Sequence, residues 1–273
     1  MDRLAVDTWL KLHGIENYTI DKDLSVVVEG DVKLYSKALG SIPVKFRNVS
    51  GSFYCHWNKL TNLEGCPDFV GGDFKCSNNM LSTLKHCPSR VGGDFHCDNN
   101  ELVSLEYCPK SIVGHFDCGN NRLNSLYGCP VSVGGYFDCH SNGLMSLVGC
   151  PDVVGNTFNC SNNKILTLVG CPVNGVGEFN CSGNGLVDLV GCPIEVSGNF
   201  ICDCNELTSL ENCPETVGGR FSYDYNKICE SELFLYDYDL AGIKNYYDNK
   251  KLNGQLVVDL VEGVEIVLKK KKI

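Results

Sequence analysis

A short alternation of apolar and polar positions, Phe-x-Cys, recurs from Phe53-Tyr54-Cys55 to Phe200-Ile201-Cys202 on a fixed 21-residue period. Period-two alternation marks a strand with one buried face. Asparagine stands three residues after each strand cysteine, from Asn58 to Asn205, and again at Asn226. An aliphatic residue follows at plus five, from Leu60 to Ile228, and a leucine at plus eight, from Leu63 to Leu210. A second cysteine series, Cys66 to Cys213, keeps the same period and is followed each time by proline, from Pro67 to Pro214. One unit reads F-x-C-x-x-N-x-L-x-x-L-x-x-C-P, then usually a valine and one or two glycines. A repeat this short cannot bury its apolar side alone, so the pattern predicts a solenoid of stacked coils.

Each position has a physical reading. In-register strands stacked about 4.8 Å apart form a parallel sheet, and identical residues pile into ladders. Asparagine falls where the strand ends, and there its amide can satisfy loop backbone groups. Proline and glycine punctuate the return path and exclude a long helix from it. Leu34 lies 21 residues before Cys55, with Val32, Leu39 and Ile42 in the neighbouring core positions and Lys37 in place of asparagine. This is a degenerate first coil. Tyr223 takes the cysteine position of the last coil, and Ser231 ends the leucine series. The count is ten coils, numbered here by Leu34 (coil 1), Cys55 (coil 2) and so on to Tyr223 (coil 10), stacking to about 50 Å.

The unit resembles the leucine-rich repeat, L-x-x-L-x-L-x-x-N-x-L, with Phe and Cys in the two central leucine positions. The resemblance covers about residues 32–228. It implies an arc with a parallel β-sheet on its concave face, a recognition module and no catalytic residues. The C-P-x-x-V-G-G return is similar to short repeats of bacteriophage and bacterial proteins. That likeness implies a phage protein acting on a host protein, in the host cytoplasm.

The flanks predict caps, because an open solenoid exposes a sheet edge and an apolar cross-section. The expected division is an N-terminal cap over 1–31, the solenoid over 32–230 and a C-terminal cap over 231–273. Residues 2–14 predict an amphipathic helix with Leu4, Trp9, Leu10 and Leu12 apolar, ended by Gly14, and residues 18–29 are strand-like. Residues 231–248 predict an aromatic-rich helix and 255–270 a β-hairpin; Tyr236, Tyr238, Tyr246 and Tyr247 are expected to pack within that cap.

Composition adds limits. Eighteen cysteines in 273 residues would suit a disulfide scaffold. Here they occupy core positions, stacked cysteines have poor disulfide geometry, and no secretory leader is apparent. The expectation is reduced, buried thiols in the cytoplasm, with Cys204 and Cys229 the most reactive. A formal charge of −10 argues against nucleic acid, and no stretch reaches membrane-spanning length.

Function is expected on the outward strand positions, which do not repeat. Coils 3 to 6 place Asp73, Asp94, His96, Asp98, His115, Asp117, Tyr136, Asp138 and His140 on one face, with Asp117 beside Asp138. Trp57 and Tyr225 are candidate aromatic anchors at the two ends. The leading reading is a non-enzymatic surface for a protein partner, itself basic, with no cofactor and no metal. A solvated acidic face with interspersed histidines, a metal-dependent or acid–base enzyme using the same His and Asp residues, and a structural or virion element are the alternatives.

Overall fold

In this computed structural model, which describes residues 1–172, 176–228, 240–245 and 247–248, the coils stack as a solenoid. Ten parallel strands, one per coil, form a continuous sheet from Val32–Lys33 to Phe221–Ser222. Register holds throughout: Phe53 pairs with Phe74, Phe116 with Phe137, and Phe200 with Phe221. From Phe53 to Phe200 every Phe of this ladder is fully buried, and so is every strand cysteine from Cys55 to Cys202. Successive rings stack at centroid separations such as 5.7 Å for Phe116–Phe137 and 5.3 Å for Phe158–Phe179. Each buried Phe contributes about 2–3 kcal/mol of apolar transfer free energy.

The return path does more than turn. Its valines and neighbours pair as a second set of short parallel strands, Phe69–Val70 with Arg90–Val91 and Ser111–Ile112 through Ser132–Val133 to Val153–Val154. Val70, Ile112, Val133 and Val154 close the core from that side. The glycine after the valine lets these strands approach: a Cβ on Gly155 would collide with the carbonyl oxygen of Gly134.

The asparagine ladder joins coil to coil. Asn121 Nδ2 donates to the carbonyls of Cys118 (3.1 Å) and Gly119 (3.2 Å) in its own coil and of Cys97 (3.1 Å) in the coil before. Its Oδ1 accepts from the Leu102 amide at 3.0 Å. The same four bonds recur at Asn100, Asn142, Asn163 and Asn184. Burial pushes the strand thiols Cys97, Cys118 and Cys139 well above the ordinary thiol range. Cys204 is exposed.

Helix α1 (Arg3–Leu12) begins at Asp2, whose carboxylate accepts from the Ala5 amide at 2.8 Å. It buries Val6 and Leu10, and the Trp9 ring meets Phe46 edge-on at 6.5 Å. Leu4 and Leu12, expected on that apolar face, are 74% and 78% exposed. At 3.6 residues per turn each lies about 200° from its neighbour on the Val6–Leu10 stripe. Strands β1 (Tyr18–Ile20) and β2 (Val26–Val28) form an antiparallel pair, and β2 runs parallel to Phe46–Val49, starting the return-path sheet. At the other end residues 240–245 and 247–248 are helical, and the Tyr247 hydroxyl accepts from the Leu210 amide at 2.9 Å. The expected hairpin at 255–270, and Tyr236, Tyr238, Tyr246 and Cys229, lie outside the described residues.

Candidate functional site

The outward positions of the ten-stranded sheet fall into three columns with different duties. The column three before the strand cysteine is a relay of side-chain acceptors. Asp31 Oδ1 accepts from the Ser52 amide (3.0 Å), Ser52 Oγ from Asp73 (2.9 Å), Asp73 Oδ1 from Asp94 (3.0 Å) and Asp94 Oδ1 from His115 (2.8 Å). His115 Nδ1 continues it to the Tyr136 amide at 3.0 Å. Asp73, Asp94 and His115 therefore carry structural work that the sequence reading did not assign them. The signal was present, because Ser, Asp, Asp and His are all side-chain acceptors. Asp94 is desolvated, which raises its pKa, but the His115 amide and nearby imidazoles more than offset that and hold it below the usual carboxylate range.

The next two columns converge. In register across neighbouring strands lie Lys75, His96, Asp117, Asp138 and Asn159. Asp138 Oδ1 sits 2.7 Å from His140 Nδ1 and also accepts the His140 amide at 2.9 Å. Asn159 Nδ2 donates to Asp138 Oδ2 at 2.9 Å, and Asn120 Nδ2 lies 2.9 Å from His140 Nε2. Asp117 Oδ1 accepts from the Gly119 amide at 2.9 Å. Asp98 is held by the Ser77 hydroxyl and, at 2.6 Å, by Asn99 Nδ2. Tyr136 stacks on His115, centroids 4.1 Å apart, and meets His96 edge-on at 6.3 Å. All nine residues expected in the patch, Asp73 to His140, are partly buried and lie on one sheet face. Ser77, Asn99 and Asn120, which were not among the expected site residues, support it.

Burial and charge set the protonation states. Desolvation, then repulsion from Asp98 and Asp138, pushes the Asp117 carboxyl up to about 7. The Asp138 hydrogen bond raises His140 above the ordinary imidazole value. Desolvation, with the Lys75 cation adding to it, lowers His96. Its Nε2 is buried with no hydrogen-bond partner among the described residues. Burial and the surrounding carboxylates push the Tyr136 phenol up, so it remains a neutral hydroxyl.

The aromatic candidates lie elsewhere. Trp57 in coil 2 and Tyr225 in coil 10 are 63% and 86% exposed, outside the coil 4–6 cluster. Both sit two after the strand position, which is left-handed along the stack, from Trp57 (φ 56°) and Asn78 (φ 56°) to Tyr225 (φ 57°). Asparagine tolerates that conformation; a large aromatic pays strain there and recovers no burial.

No family model matches the chain, and no curated protein matches it. Among solved structures it is similar to YopM from Yersinia enterocolitica WA-314, at 19% identity and a TM-score of 0.46, over 70% of this chain. The chain spans about half of YopM, covering 52% of it. One strand of the ten-stranded sheet, one ladder asparagine and two leucine positions per coil give this chain a solenoid fold of the leucine-rich-repeat type.

Proposed function

We propose that the outward face of the ten-stranded sheet, centred on coils 4 to 6, is a recognition surface for a protein partner whose contact face is basic. One observation carries this reading. The inward Phe, Cys and Leu positions repeat almost without change, whereas the outward columns one residue away change at most rungs and concentrate Asp, His and Tyr. Core packing explains constancy; it gives no reason for a carboxylate and imidazole cluster on one stretch of sheet. Charge complementarity would steer a basic partner and fix its orientation, with Tyr136 as the aromatic centre of the contact. No side chain is assigned a catalytic role. Given the return-path resemblance to bacteriophage repeats, the partner in this proposal is a host protein met in the host cytoplasm.

The test compares wild type with a His96→Ala, Asp117→Ala, Asp138→Ala variant of matched stability, each immobilised and exposed to cytosol under reducing conditions. A partner retained by wild type, lost by the variant and released by added salt is the expected result. Equal retention by both proteins overturns the assignment to this face. A control change on the opposite side, Val148→Ser, should leave retention unaltered.

A further inference from the structure

Coils 4 to 6 bring potential metal ligands together twice. His96, Asp98 and Asp117 each place one ligand atom within 4.8 Å of the others, and Asp117, Asp138 and His140 do the same. Asp117 belongs to both groups. Acidic residues on a surface are common, and alone would suggest nothing. Two features separate this cluster from such a patch. Each group contains an imidazole, and His96 Nε2, like His56 Nδ1 outside the cluster, is a buried nitrogen with no hydrogen bond among the described residues. Its nearest carboxylate partner, Asp94 Oδ2, stands 3.6 Å away, beyond hydrogen-bond reach. A buried polar atom left unpaired is unfavourable, and native structures seldom leave one without a reason.

The remaining groups are arranged as ligands with outer support. Asp117 is held from behind by the Gly119 amide, Asp138 by Asn159, and Asp98 by Ser77 and Asn99. His140 Nδ1 hydrogen-bonds Asp138 Oδ1 at 2.7 Å and Nε2 faces Asn120, so an ion at this triad would take the place of the Nδ1 proton, with the Asn120 amide turning its oxygen to accept from Nε2–H. Partners of this kind orient carboxylate and imidazole ligands in metal sites.

We propose that coils 4 to 6 hold two divalent ions of the zinc class, one in each triad, with the Asp117 carboxylate bridging them. A mixed imidazole and carboxylate set favours a borderline ion such as zinc over calcium or magnesium, which prefer all-oxygen shells. Paired ions in two-metal sites stand about 3.5–4 Å apart, about 1 Å under the strand spacing, so both must lean toward Asp117. The two positive ions also remove the conflict among Asp98, Asp117 and Asp138. Three protein ligands per ion leave a coordination position toward solvent.

Zinc titration of the chelator-treated, reduced full-length protein, followed by calorimetry, tests this without any partner, so its outcome is independent of the pull-down above. The expected result is two zinc equivalents per chain and no heat with magnesium or calcium at the same concentration. Asp117→Asn should weaken both sites by on the order of 100-fold or more, since even outer partners of ligands are worth 10–100-fold. His96→Ala and His140→Ala should each remove one equivalent. Far-ultraviolet circular dichroism confirms that each variant is folded. Because 18 cysteines compete for zinc, cobalt(II) substitution reports the ligand type. Ligand-field bands without a thiolate charge-transfer band are expected. No binding, binding that survives Asp117→Asn, or an intense thiolate band overturns the proposal. A single equivalent overturns the bridged pair.

Discussion

Coils 5 and 6 and coils 7 and 8 show the same backbone to solvent with different chemistry. In the first pair Asp117 and Asp138 lie in register, and each accepts the amide two residues on, Gly119 and His140, at 2.9 Å. In the second pair Asn159 and Asn180 lie in register and accept from Ser161 and Ser182 at 3.1 and 3.0 Å. Beneath both run near-parallel Phe pairs, at interplanar angles of 6° and 8°. A neutral amide therefore does the local structural work as well as a carboxylate. The charges on Asp117 and Asp138 exceed what the turn requires, and burial makes that of Asp117 costly. Where two rungs solve one structural problem and only one of them bears charge, the charge is left for the recognition role proposed above.

The comparison can be broken at several levels. Phe116→Ala and Phe179→Ala remove matching core rings from the charged and neutral halves; each should destabilise by about 3–5 kcal/mol in denaturant melts. A large inequality would mean that the two halves differ beneath the surface as well as on it. Exchanging the outward chemistry should act with opposite signs. Asp117→Asn should stabilise the metal-free protein above pH 8 by on the order of 1–3 kcal/mol, while Asn159→Asp, beside Asp138, should destabilise by about 1 kcal/mol. If neither shifts the melting midpoint, the carboxylates are no burden and the contrast loses its meaning.

Acidity sharpens the same point. The Asp117 carboxyl titrates near 7 in the folded chain against about 3.9 unfolded, so its stability contribution is complete below about pH 4 and lost as pH rises through 7. Between those values metal-free wild type should lose stability relative to Asp117→Asn, and the difference between the two melting curves isolates this group. The smallest effect concerns His140. Its pKa is raised chiefly by the Asp138 hydrogen bond, so its contribution is full below the unfolded imidazole value and fades as pH rises through the folded one. Asp138→Asn should move the His140 midpoint down in an NMR titration; an unmoved midpoint would show that the bond does not form in solution.

Much of this was readable before any coordinates. Phe, Cys, Asn and Leu stack against their own copies, so the fold's main contacts appear as a period in the sequence. The second, return-path sheet was hidden because its pairing lies in two-residue segments set among proline and glycine, where a strand pattern has no length to show itself. The outward residues were identified by alternation alone. Their side-chain pairings, such as Asn120 against His140, depend on conformations across rungs, which spacing does not encode. The left-handed position was legible but overlooked: Asn78, Asn99, Asn120 and Asn162 each precede the ladder asparagine. At α1, counting apolar residues without their phase placed Leu4 and Leu12 on the wrong side.

The asparagine ladder has a direction. Each ladder asparagine reaches back to a carbonyl and an amide of the coil before it, so every new coil carries the fasteners that attach it to chain already made. A ribosome adding 5–20 residues per second delivers one coil in roughly 1–4 s, far longer than local ordering takes. The molecule can thus assemble as it is synthesised, N-terminal coil first, each rung a finished template for the next.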